Sequence, residues 1–130
     1  LNDVEFLELD VVLFLHDQAL REYGGIQGVR DFGALESALG RPQNRLVYGE
    51  AVDLFDLAAA LTFGLARNHP FNDGNKRTAW GCCVLFLRVN EIRLRRGAMA
   101  VIPVVLRLAE GTLDEDGFAA WLRLDAPVPD

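Results

Sequence analysis

The sequence predicts an all-α fold, a compact bundle of five to seven helices with a polar motif loop between its two long central ones. Two observations carry the prediction. Apolar residues recur at three- and four-residue spacing in segment after segment, and almost nothing in the chain reads as strand. A third bounds it: 130 residues, 51% hydrophobic and 25% charged, suit one soluble globular domain, residues 1–130, with a real core.

The first helix spans residues 8–22, where Leu9, Val12, Leu13 and Leu20 keep a helical period. Tyr23-Gly24-Gly25 stops it, because glycine lets the backbone leave the helix. The loop GGIQGVRD (24–31) follows, and Asp31 is placed to cap a short helix to Gly40, closed by Arg41-Pro42. Residues 53–68 give the clearest helix, with Leu54, Leu57, Ala58, Leu61 and Leu65 on one face. His69-Pro70 ends it, since proline pushes its predecessor out of helical angles. A second long apolar helix covers residues 76–89. EIRLR (91–95) is a turn or a short extended piece. Residues 97–110 form a helix that Pro103 must kink or break. Gly111 ends it, and residues 114–124 give a last amphipathic helix with Asp114 as its N-cap. The tail APVPD is expected to fray.

A net charge of −6 argues against a dedicated nucleic-acid binder, which needs a basic face. Arg88, Arg93, Arg95 and Arg96 read as a solvated turn rather than a phosphate contact. No uninterrupted apolar stretch reaches membrane-spanning length. The acidic opening LNDVEFLELD lacks the basic start and cleavage site of a signal peptide, so the expected location is cytoplasmic. Cys82 and Cys83 are adjacent and cannot meet in ordinary disulfide geometry; they read as small buried side chains in a reducing compartment.

The chemistry is concentrated in HPFNDGNKRTAW, residues 69–80. Asp73-Gly74-Asn75 is a turn, and the following helix starts close to Asn75 or Lys76. Unpaired N–H groups at a helix N-terminus favour an anion, whereas cations there oppose the dipole. Lys76 and Arg77 in that first turn make sense if a multiply charged anion such as a nucleotide phosphate chain binds there. Asp73 beside phosphates is a Mg²⁺ carboxylate. His69 is the nearby side chain suited to accept a proton near neutral pH. Phe71 anchors the loop by burying its ring. Each residue singly has a bland role in an interhelical turn; together they spell phosphate-directed group transfer.

HPFNDGNKRTA resembles the signature of the Fic/Doc family, and within it the death-on-curing (Doc) toxin branch. The Fic pattern is HPFx[DE]GNGRxxR and the Doc pattern HxFxDANKRT. This chain shares Asn75-Lys76-Arg77-Thr78 with the Doc branch and keeps the Fic-like Gly74. Residues 15–42, with their YGGxxG loop, DLFDLAAALTFGLARNHPF and LFLRVN also fit, so the similarity covers most of the chain. The resemblance implies His69 as base toward a protein hydroxyl, Asp73 as Mg²⁺ ligand, and Gly74, Asn75, Lys76 and Arg77 as the nucleotide phosphate site. It leaves Phe71 as the buried anchor and Thr78 capping or packing at the helix start.

Two departures bear on which group is transferred. Lys76 stands where Fic proteins have the second glycine of GNGR, and Trp80 where they have the second arginine. Doc-type relatives transfer the γ-phosphate of ATP, so the resemblance implies a Mg-ATP-dependent kinase acting on a translation factor, elongation factor Tu. It also implies a small antitoxin whose disordered C-terminal segment docks as a helix in an apolar groove. AMP transfer is the alternative within the enzyme class, and a catalytically weak antitoxin- and operator-complex module the alternative outside it. TLDEDG (112–117) approaches the Fic inhibitory-helix pattern, but Trp80 removes the arginine such a helix pairs with. His16 reads as a core or capping histidine, and Arg30 and Asp31 as candidates for seating the target, with Asp31 equally good as an N-cap. Two histidines cannot build an ordinary four-ligand zinc site with vicinal cysteines. Ser37, the sole serine, lacks a nucleophile-elbow setting. Gly25-Ile-Gln-Gly28 is a GxxG too short to outweigh an acidic helical context.

Overall fold

Six helices run in chain order through the described residues: α1 (Leu9–Tyr23), α2 (Phe32–Val47), α3 (Leu54–Asn68), α4 (Asn75–Val89), α5 (Ala98–Glu110) and α6 (Glu115–Leu124). A computed structural model of the chain describes residues 1–96 and 98–124, so Gly97 and the expected frayed tail lie outside the description.

Ten of the fifteen residues of α3 are buried, which makes it the central helix rather than a surface one. It packs against α2, α4, α5 and α6, while α1 lies on α4. Its Leu57, Leu61 and Leu65 meet Phe86 and Leu87 of α4, Val101 and Leu108 of α5, and Phe118 and Leu122 of α6 in one cluster. Asp31, Asp53 and Asp114 cap α2, α3 and α6 by accepting from the N–H groups of Ala34, Asp56 and Gly117. Residues 90–96 lie outside any helix, a turn at Asn90-Glu91 followed by a bridge residue at Arg93, with Asn90 clasping the N–H and C=O of Glu5. Cys82 and Cys83 are buried free thiols; burial pushes the Cys83 thiol up to about 12. No helix among the described residues is long and apolar enough to cross a membrane.

The sequence closes the second helix at Arg41-Pro42, whereas α2 runs on to Val47 with Pro42 buried inside it. Proline removes one backbone hydrogen bond there. Tertiary contacts override that local cost: the Pro42 ring is buried, and Arg41 and Arg45 both grip Glu115 at the start of α6. α5 likewise continues through Pro103.

The far end of α6 is tied down too. Arg123 donates to Asp53 at 2.7 and 3.1 Å and to the buried Asp56 at 2.7 Å, both at the start of α3. Burial alone would raise the Asp53 pKa. The hydrogen bond and charge of Arg123, with the backbone N–H groups of Asp56 and Phe55, hold it below the usual carboxylate range.

Arg123→Ala is expected to lower the unfolding free energy by about 1–2 kcal/mol, a hydrogen-bonded charge pair discounted for solvent screening. A depressed carboxyl stabilises the fold above its unfolded pKa of about 4, and that stabilisation fades as pH falls through the folded value. Urea unfolding at neutral pH and at about pH 3 checks both: the gap between parent and variant narrows in acid.

Candidate active site

The residues from His69 to Gly74 separate α3 from α4 and carry most of the polar motif. Phe71 is their fixed point. It is 1% exposed, and its ring stacks on His16 of α1 at 3.7 Å between centroids. His16 is buried, with Nε2 2.8 Å from the Asp73 carbonyl oxygen. A carbonyl only accepts, so Nε2 carries the proton and the tautomer is set. On the other side the Phe71 N–H donates to Asn75 Oδ1 at 2.9 Å, and Asn75 Nδ2 donates to the Phe71 carbonyl at 3.0 Å. The Asn75 side chain is thus committed to the loop, and what it can offer an anion is its backbone N–H.

The α1–α2 loop straps this turn from outside. Val29 and Phe71 form an isolated antiparallel bridge. The N–H groups of Arg30 and Asp31 donate to the Pro70 carbonyl, and Asn72 reaches the carbonyls of Gly28 and Gln27. The Ile26 N–H donates to Asp73 Oδ2 at 2.8 Å, which fixes the carboxylate and leaves its other oxygen without a partner among the described residues. Gly25 lets the strap come this close. Its φ is +128°, and a Cβ there would lie 3.1 Å from the Cβ of Asp73 and 2.9 Å from Leu20 Cδ2.

His69 caps α3 with φ 49° and ψ 56°, a left-handed conformation that costs a non-glycine residue about 1–2 kcal/mol. Arg30 holds it there: Nε donates to the His69 carbonyl at 2.8 Å, and Nη2 to that carbonyl and to the Asn68 carbonyl at 3.1 Å. The imidazole is exposed and has no hydrogen-bond partner among the described residues.

After Gly74, at φ +76°, the N–H groups of Asn75, Lys76 and Arg77 find no acceptor among the described residues, as expected of a helix start. Lys76 is exposed and has no ion-pair partner among them either. The Arg77 guanidinium lies over the Tyr23 ring, 3.4 Å from its centroid, an attraction that keeps it beside the helix start. Thr78 is buried, and its hydroxyl finds no partner among the described residues, so it packs rather than caps.

His69, Asn72, Asp73, Gly74, Asn75, Lys76 and Arg77 line one cleft of about 350 Å³, with Phe71 buried beneath it. Every site residue expected from the sequence therefore falls in or directly under a single opening. The supports were not foreseen as such: His16 on Asp73, Ile26 on Asp73, Arg30 on His69, Tyr23 under Arg77. The signal that could have found them was the glycine-rich loop itself, too short to pack alone and carrying an arginine next to a cap. Arg30, a sequence candidate for seating a target, has its guanidinium turned to the motif backbone instead. The TLDEDG segment sits elsewhere, with Asp114 capping α6 and Asp116 lining a different cleft with Arg41, Arg45 and Phe63.

Known proteins are similar to this chain in sequence. A family model described as the Fic/DOC family matches residues 6–87. The chain is 43% identical over 83 residues to Protein kinase doc of Escherichia phage P1, which covers 64% of this chain and 66% of that protein. It is 47% identical over 94 residues to Toxin Doc of Mycolicibacterium smegmatis, covering 69% and 68%. The chain thus spans about two thirds of the length of these relatives.

Asn75→Ala separates the clasp from any ligand role. It leaves the N–H and C=O of Phe71 without partners and is expected to destabilise the free protein by about 1–3 kcal/mol in urea unfolding. A residue that served only a bound nucleotide would leave the free protein's midpoint unmoved.

Proposed function

The chain belongs to the Fic/DOC family, and on that premise we propose that it is a Doc-type toxin, a kinase that transfers the γ-phosphate of Mg-ATP to a hydroxyl of elongation factor Tu. Arrest of translation in the cytoplasm follows from that transfer, and a cognate antitoxin neutralises it. The observation that carries the reading is the convergence, on one cleft, of α4 N–H groups and a Lys76 that have no partner among the described residues with the exposed His69 ring. A phosphate chain at a helix N-terminus satisfies those donors and reverses the otherwise unfavourable placement of Lys76 and Arg77.

His69 accepts the proton of the target hydroxyl while the hydroxyl oxygen forms its bond to the γ-phosphorus. The bond from that phosphorus to the β,γ-bridging oxygen breaks, and ADP leaves with the electron pair. Asp73 suits Mg²⁺: one oxygen is fixed by Ile26, the other has no partner among the described residues, and a single carboxylate beside phosphate oxygens is the donor set this ion takes. Bound there, Mg²⁺ would neutralise charge on the phosphates. Lys76, in place of a glycine, fills space at the helix start and adds a fixed charge, which favours seating the terminal phosphates there over the AMP end.

For the antitoxin, the apolar groove of about 380 Å³ between α1, α4 and α5 has the right character. Leu15, Ala19, Trp80, Val105 and Leu106 line it, and Lys76 and Arg77 stand along it for an acidic side chain of an amphipathic helix.

ATP labelled separately at the α and γ positions, incubated with the chain and elongation factor Tu, tests the reaction. Label from the γ position is expected on the target, and His69→Ala is expected to lower the rate by about a hundredfold or more. Label from the α position would establish AMP transfer instead. No transfer, with tight antitoxin binding, would leave only a binding module.

A further inference from the structure

We propose that Arg30 is the positioning residue of His69: its guanidinium fork sets the backbone from which the imidazole faces the cleft. This rests on the reading of His69 as the base. The left-handed conformation of His69 is not a default, because Pro70 disfavours the right-handed helix at the preceding residue and by itself steers it to extended angles. Some contact must select it. Among the described residues, the hydrogen bonds reaching His69 from outside α3 all come from Arg30. The same fork takes the Asn68 carbonyl, so it spans two successive orphan carbonyls at the end of α3. A lysine ammonium lacks the planar pair of donors needed for that span. Because the His69 ring has no hydrogen-bond partner of its own among the described residues, its direction is inherited from the main chain.

The selectivity of the contact gives the proposal its test. Everything from Pro70 to Asn75 is held by other groups: His16, Ile26, Asn75 and the Val29 bridge. The Arg30 side chain reaches none of the donors at the α4 start. Its removal should therefore release the base and leave the anion cradle standing. That separates a positioning residue from one that merely stabilises the loop.

Phosphate transfer from γ-labelled ATP to elongation factor Tu is measured with the parent chain, Arg30→Ala, Arg30→Lys and His69→Ala, with ATP affinity titrated independently at about 150 mM salt to screen the lost charge. Arg30→Ala is expected to lose about ten- to a hundredfold in kcat while ATP affinity moves less than about threefold. Arg30→Lys falls between, and millimolar guanidinium partly rescues Arg30→Ala. A kcat for Arg30→Ala within threefold of the parent overturns the proposal, as does a loss of ATP affinity in step with kcat. Should Arg30→Ala lose its helical circular dichroism, Arg30→Lys decides by the same split. Activity surviving in His69→Ala sinks the base assignment itself. Silence there with an active Arg30→Ala sinks the Arg30 inference alone.

Discussion

Burial of Phe71 against His16 is the constraint on which the site depends. A short turn joining two core helices has no packing of its own, and polar residues give it no reason to hold one shape. One aromatic ring, inserted and stacked on a buried imidazole, supplies that reason. His16 then bonds the Asp73 carbonyl while its ring carries Phe71, so a single α1 side chain locates both the apolar and the polar half of the turn. From there the remaining positions follow by short reach. Asn75 closes on the Phe71 peptide groups, and the strap pairs through Val29. The backbone of the turn is held from three independent elements, the kind of support a preorganised site needs.

That constellation stands on rigid ground. α3 is buried nearly all round, and α6 is fastened at both ends by arginines, to α2 through Glu115 and to α3 through Asp53 and Asp56. These ion pairs range from mostly buried at Glu115 to partly exposed at Arg123, and they give direction as well as energy: guanidinium groups fix which face α6 turns to the core. With α3 held along its length, its last turn cannot wander, and the six residues after it begin from a defined point.

Much of this was legible in the sequence because it is local. Leu57, Leu61 and Leu65 announce the inner face of α3 by spacing alone, and Asp31 and Asp114 announce their helix starts. The candidate site was legible because its residues are contiguous: a carboxylate, a histidine and two cations in nine positions need no fold to bring them together. What was not legible is what lies far along the chain. Arg30 meets His69 across 39 residues, Ile26 meets Asp73 across 47, and His16 meets Asp73 across 57. No periodicity encodes such pairs. Pro42 failed for the complementary reason: a sound local rule met a buried ring and two anchored arginines, and packing won.

The two helix ends that meet in the turn are treated in opposite ways, and the difference is informative. The C-terminal carbonyls of α3 carry partial negative charge, and the chain answers them with the cation of Arg30, as the dipole prefers. The N-terminal amides of α4 carry partial positive charge, and a free-standing protein would answer them with an acidic cap. Here the N-cap is Gly74, which offers no side chain, and the next residues add Lys76 and Arg77. Asp73, the carboxylate just before this start, is turned back to the Ile26 amide rather than capping α4. One end is therefore complete within the chain, and the other is left with donors and charge of a single sign. Aspartate caps α2, α3 and α6, and α1, which has no side-chain cap, at least carries Asp10 in its first turn; α4 has neither a side-chain cap nor an acidic first turn, the arrangement that an external anion would complete on the proposed reading.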